Sequence, residues 1–154
     1  MPMSPELDAV QKAILDIHRE LFDESPSPMK LQKLCYYAQG YALAEGKPLF
    51  KDDFQAWQHG PVVPDMYQEY KHLTWRPINE EFKPPKLAPE VVEHLEGVVD
   101  AYGRYDGAAL STMTHRERPW LSARDGVPDT SNSDATISKD SMGRFFARKL
   151  REEE

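Results

Sequence analysis

Residues 29–46 read MKLQKLCYYAQGYALAEG, and the fold turns on them. Leu31, Leu34, Cys35, Ala38 and Ala42 recur at steps of three and four, which places them on one stripe of an α-helix. Just upstream, Ser25-Pro26-Ser27-Pro28 supplies a capping serine followed by proline at the first helical position, where its missing N–H costs nothing. Gly46 offers the left-handed residue that ends such a helix. Gly40 costs about 1 kcal/mol of helix propensity relative to alanine. Among the small residues Ala38, Ala42 and Ala44, however, it lets another element approach closely, so this helix belongs at the centre of the molecule. Tyr37 and Tyr41, four apart, fall beside the stripe and are expected to be partly exposed.

Working toward the amino terminus, Ser4-Pro5 repeats the same start signal, and Leu7, Val10, Ile14, Ile17 and Leu21 make an amphipathic helix over about 5–22. Toward the carboxyl terminus, FQAW (54–57) is a short β-capable run ahead of Gly60-Pro61, and Pro64 opens a third helix, DMYQEYKHL, with Met66 and Tyr70 four apart. The stretch 76–89, RPINEEFKPPKLAP, carries four prolines and no periodicity, which reads as an extended connection over the surface. Pro89 starts a fourth helix with Val91, Val92, Leu95, Val98, Val99 and Tyr102 on its apolar face. Asp106 caps a short one, GAALSTMTH. Pro119 restarts a turn or two, PWLSARD, and Ser138 caps the last helix, KDSMGRFFARKLREEE. ATI (135–137) is the only other β-capable run. The sum is a mainly α protein: a single compact helical domain over 1–154, its first helix (1–26) packed on the remainder (27–154), with a small two-stranded β-ribbon of FQAW against ATI.

A chain of 154 residues is of one-domain size. Its acidic residues outnumber its basic ones by 26 to 19, for a formal charge of −7, so phosphate backbones and anionic lipid repel the chain as a whole. The start has no signal-peptide pattern, and no run approaches the roughly 20 apolar residues of a membrane span. The expectation is a cytoplasmic protein with no membrane partner. Cys35 is the only cysteine, which excludes an intrachain disulfide and a cysteine-based zinc cluster. Its place on the apolar stripe marks it as a buried, inert thiol rather than a nucleophile.

Neither a catalytic set nor a cofactor motif emerges. The five histidines form no His-x-x-x-His or H-E-x-x-H pattern, so no local metal site is expected. There is no glycine-rich phosphate loop and no G-x-S-x-G elbow. The nearest thing to acid–base chemistry is His115 with Glu117, a carboxylate two residues from an imidazole. The competing reading is that these side chains satisfy exposed backbone groups between two short helices.

The long run from Leu31 to Tyr67 resembles the Panacea domain family, the SocA/GepA-like phage-associated proteins. The likeness lies in the helix Leu31–Ala44, in Gly46-Lys47-Pro48-Leu49-Phe50, and in Ala56-Trp57 followed by Gly60-Pro61-Val62-Val63-Pro64 and Tyr67. Thr114-His115, Glu117 and Pro119-Trp120 are similar to the family's second motif, and ATISKDSMGRFF to its closing strand and helix. Two departures stand out: Gln58-His59 replaces a basic and an aromatic residue, and Cys35 replaces an aliphatic one. The resemblance implies a cytosolic antitoxin without enzymatic activity or cofactor that binds and blocks a protein toxin encoded by a neighbouring gene. Some members instead hand the toxin to a cellular protease as adaptors. The competing function is a hydrolase or nuclease built on His115 and Glu117; a DNA-binding repressor lacks the basic footprint it would need. Oligomeric state is left open, self-association included.

The opening helix and the Gly-Pro corner together point to a contact surface. Gly60-Pro61 and Val63-Pro64 restrict the backbone at adjacent positions and make a stiff corner, which loses little entropy on binding. Tyr37, Tyr41, Trp57, His59 and Tyr67 are the expected toxin contacts, with Trp57 equally fit to anchor the corner in the core.

Overall fold

The computed structural model describes residues 3–153. Its described helices are α1 (Pro5–Phe22), α2 (Pro28–Ala44), α3 (Pro64–Tyr70), α4 (Pro89–Tyr102), α5 (Gly107–Thr114), α6 (Arg118–Ala123) and α7 (Lys139–Glu153), with a 3-10 turn at Lys71–Leu73. Two strands, β1 (Gln55–Trp57) and β2 (Gly60–Val62), form one antiparallel sheet. The protein is mostly helical, and no described helix is long and apolar enough to cross a membrane.

The helix starts obey local chemistry. Ser4 Oγ accepts from Leu7 N–H, Ser27 Oγ from Lys30 N–H, and Asp106 from Ala109 N–H, and Pro5 and Pro28 follow their serines. Each side chain satisfies one of the amides that the first helical turn leaves without a partner. At the end of α2, Gly46 takes φ +73° and Lys47 N–H reaches back to Ala42 C=O at 3.0 Å, a Schellman closure.

Helix α2 is the axis of the molecule. It packs against α1, α3, α4, α5, α7 and β2, and every residue from Lys30 to Ala42 is buried. The expected exposure of Tyr37 and Tyr41 is therefore corrected: Tyr37 is 0% exposed and Tyr41 9%. Tyr37 lies flat on Tyr102, with ring centroids 4.1 Å apart, and meets Phe146 edge-on at 5.8 Å. Tyr41 shares a 2.6 Å hydrogen bond with the Tyr102 hydroxyl. The stripe of small and aliphatic residues marks only one side of a helix that neighbours enclose on all sides. Gly40 supplies the close approach, since α7 presses the Phe146 ring against it.

The ribbon is also corrected in part. β1 pairs with β2 across the two-residue Gln58-His59 loop, with Trp57 opposite Gly60 and Gln55 opposite Val62. The ATI segment lies on the other edge of β1 as a single bridge, Gln55 to Thr136, flanked by Ala56 N–H to Ala135 O and Ile137 N–H to Phe54 O, both 2.8 Å. A short hairpin closes at far less entropic cost than a loop of some eighty residues. Because Ala56 sends its N–H to Ala135, the opposing Pro61 has no ladder bond to lose.

The proline-rich stretch after Arg76 has no regular structure and crosses α1, pinned by Arg19 to the carbonyls of Ile78 (2.9 Å) and Glu80 (2.7 Å).

Candidate functional site

The corner β1–β2–α3 is held from two sides. From α2, the Gln32 side-chain amide donates to Val63 O (3.1 Å) and accepts from Val63 N–H (3.0 Å). One helical residue thus pairs with the corner as a strand would. Gln39, seven residues on, treats the preceding link in the same way, donating to Phe50 O (2.7 Å) and accepting from Leu49 N–H (2.8 Å).

From the α5–α6 side, four consecutive carbonyls are each taken by one side chain. Arg124 donates to Ala56 O (2.9 Å), Trp120 Nε1 to Trp57 O (2.8 Å), His115 Nε2 meets Gln58 O (2.6 Å), and Ser111 Oγ donates to His59 O. His115 meets Trp120 at a tilt, with centroids 4.1 Å apart, and the Arg124 guanidinium covers the same indole at 4.7 Å. The motif Thr114, His115, Glu117, Pro119 and Trp120 is thereby explained in part: it braces the hairpin. Neither the glutamines nor Ser111 and Arg124 stand out in the sequence, because a side chain that serves a distant carbonyl leaves no local pattern.

The proposed acid–base pair is not formed. Both ring nitrogens of His115 face carbonyl oxygens, Nδ1 that of Ser111 and Nε2 that of Gln58. Glu117 points instead into the core, where it accepts from the Tyr37 hydroxyl at 2.9 Å. Burial pushes the Glu117 carboxyl up to about 7, against the lowering effect of the Tyr37 hydrogen bond and Lys149. His115 has no nitrogen left to move a proton, and the hydrolase reading loses its dyad. Cys35 is fully buried, and desolvation raises its thiol well above the usual range.

Gly60 has φ +118°, and a Cβ there would stand 2.5 Å from Lys33 Cε and 2.9 Å from Thr114 Oγ1. Glycine is required twice over, by its backbone and by the lysine that passes beneath it. Lys33 is 1% exposed, and the acceptor its ammonium has is Pro61 O, at 3.3 Å. Burial lowers that ammonium to about 7.

Between α2, the hairpin and α3 lies a pocket of about 400 Å³. Trp57, His59 and Tyr67 all line it, as does Lys33. The Trp57 and Tyr67 rings meet at 5.0 Å, nearly edge-on, with Tyr67 42% exposed and Trp57 half-buried. Three of the five expected contact residues are thus together, and Tyr37 and Tyr41 are not with them. The most exposed large hydrophobic side chain among the described residues is Trp75, 80% exposed, which follows Thr74, a residue of the pocket lining with an unusual φ of +57°. Among the described residues, no group of three His, Cys, Asp or Glu could hold a metal ion.

Residues 31–121 match the family described as antitoxin SocA-like, Panacea domain. The chain is also 31% identical over 134 residues to Antitoxin SocA of Caulobacter vibrioides (strain NA1000 / CB15N), an alignment covering 77% of this chain and 70% of that relative. No solved structure matches. The chain belongs to the SocA-like, Panacea-domain antitoxin family.

Proposed function

We propose that this chain is the antitoxin of a toxin–antitoxin pair and neutralises a protein toxin by direct binding through the β1–β2–α3 corner. The observation that carries the reading is the bracing of four successive carbonyls, 56 to 59, beneath partly exposed aromatic side chains. A surface fixed in this way loses little conformational entropy on association, and aromatic residues are the side chains that most often anchor a protein contact. Trp57 and Tyr67 are the anchors, His59 and Trp75 the flanking contacts. Tyr37 and Tyr41, buried against Tyr102 and Phe146, do not touch the partner.

The test is co-expression with the product of the neighbouring gene. That product should arrest growth alone, be tolerated beside this chain, and co-purify with it; Tyr67→Ala or Trp75→Ala should weaken capture by about tenfold or more while leaving the melting temperature nearly unchanged. A toxin that is silenced without being retained, and that reappears when the cell's ATP-dependent proteases are deleted, would establish delivery to a protease in place of occlusion. Failure to silence any neighbouring product would refute the proposal.

A further inference from the structure

The pocket beside the corner has a charge pattern opposite to that of the chain. Its lining includes Lys33 and Lys71 and no carboxylate, in a protein with a formal charge of −7. Its walls are otherwise mainly apolar, with Met29 and Met66 among them. A volume of about 400 Å³ lies at the lower end of the range for pockets that take a small organic group.

Lys33 is the unusual member. An ammonium has three donors, and the structure gives this one a single acceptor at 3.3 Å, beyond the distance of a strong charge-assisted bond. Buried charges normally carry a full set of partners. The hairpin glycine is bare where Lys33 passes, so the backbone itself makes room for the lysine.

We infer that this pocket receives an apolar side chain adjoining a carboxylate on a segment of the partner protein, with Lys33 as the group that accepts the carboxylate. The inference rests on the proposed antitoxin function and adds the chemistry of the segment recognised. An incoming carboxylate supplies the acceptors that Lys33 lacks, and Lys71 at the rim adds attraction of the same sign. The apolar walls take the neighbouring side chain out of water.

Two probes separate the possibilities without a toxin. 3-Phenylpropionate and its neutral amide, 3-phenylpropanamide, are titrated into the full chain carrying 13C-methyl methionine, with Met29 and Met66 as reporters. The acid should shift both methyl signals and bind about tenfold or more tighter than the amide, as a hydrogen bond to a charged group implies. In Lys33→Met the acid and its amide should bind alike. If that variant does not fold, the comparison on the unaltered chain still decides. Equal binding of acid and amide, or no shift at either methionine, overturns the inference. The second probe is the capped peptide acetyl-Leu-Phe-Asp-amide against acetyl-Leu-Phe-Asn-amide. Preference for the aspartyl peptide at the same two methyls supports a protein segment as occupant. Binding of 3-phenylpropionate with exclusion of both peptides assigns the pocket to a small free acid and overturns the docking proposal. Since neither probe is a toxin, failure here leaves the antitoxin reading standing, and failure of co-purification leaves these titrations unaffected.

Discussion

Replacing Gly40 by alanine puts the packing of the central helix to a direct test. A Cβ at this position would overlap the edge of the Phe146 ring, 2.9 Å from Cζ and closer still to the neighbouring edge atoms. The ring has no free direction in which to retreat. It is fully buried, with the rings of Tyr41, Phe145, Tyr36 and Tyr37 at centroid distances of 4.8, 5.0, 5.6 and 5.8 Å. Overpacking of this kind costs about 1–3 kcal/mol, and contact with several ring atoms at once argues for the upper end. Alanine returns about 1 kcal/mol of helix propensity, so the net loss is about 2 kcal/mol. For a chain of this size that is a fall of about 4–8 °C in melting temperature. Gly97, inside α4, is the internal control, because a Cβ there meets nothing within 4 Å. Gly97→Ala should gain about 1 kcal/mol, so the same substitution in two helices should act with opposite signs. Thermal melts followed by circular dichroism read both. In a Phe146→Ala background Gly40→Ala should lose its cost, a coupling that only contact between the two sites produces. An increase in melting temperature for Gly40→Ala matching that of Gly97→Ala would show that Phe146 does not press on Gly40.

A larger side chain at Gly40, leucine, should cost at least as much as alanine does, which the same melts check. Tyr37→Ala should lower stability by about 3–5 kcal/mol in denaturant unfolding, as for other buried aromatics, and any loss of partner affinity should follow that loss. Gly60→Ala should destabilise by about 1–3 kcal/mol through its positive φ and the Lys33 contact; a melting temperature equal to that of the parent chain would show that the corner relaxes. Glu117 ionises near 7 in the folded chain against an ordinary 4.5. Between those values the folded state holds a proton that the unfolded state has lost, so stability should fall as pH rises from about 4.5 to 7, by about 3 kcal/mol in all. Lys33, near 7 against 10.5, acts in the opposite sense, with stability rising from about 7 toward 10.5. Urea unfolding across this range should show a minimum near neutrality, and Glu117→Gln should flatten its acid side. Chelators should change neither the melting temperature nor toxin neutralisation, and stoichiometric zinc in the purified protein would contradict that.

The helices and their starting points were legible from local residues. Ser4-Pro5, Ser27-Pro28, Pro64, Pro89, Asp106 and Ser138 are signals whose physics is complete within a few residues: a side-chain acceptor for an orphan amide, or a ring that fixes φ. The small-residue patch around Gly40 and the stiff Gly-Pro corner were legible for the same reason, and the order of the two motifs carried the family. Which aromatic side chains are exposed depends instead on the tertiary structure. Periodicity identifies the most apolar side of a helix, but the number of neighbours around α2 sets whether Tyr37 and Tyr41 see water, and those neighbours come from the far end of the chain. The partner of β1, the separation of His115 from Glu117, and the burial of Lys33 beneath Gly60 likewise depend on contacts between residues distant in the chain, as for Tyr37 with Glu117 and Gln55 with Thr136. Such contacts are specified by shape and by the need of each buried polar group for a partner, and neither is written in the local spacing of residues.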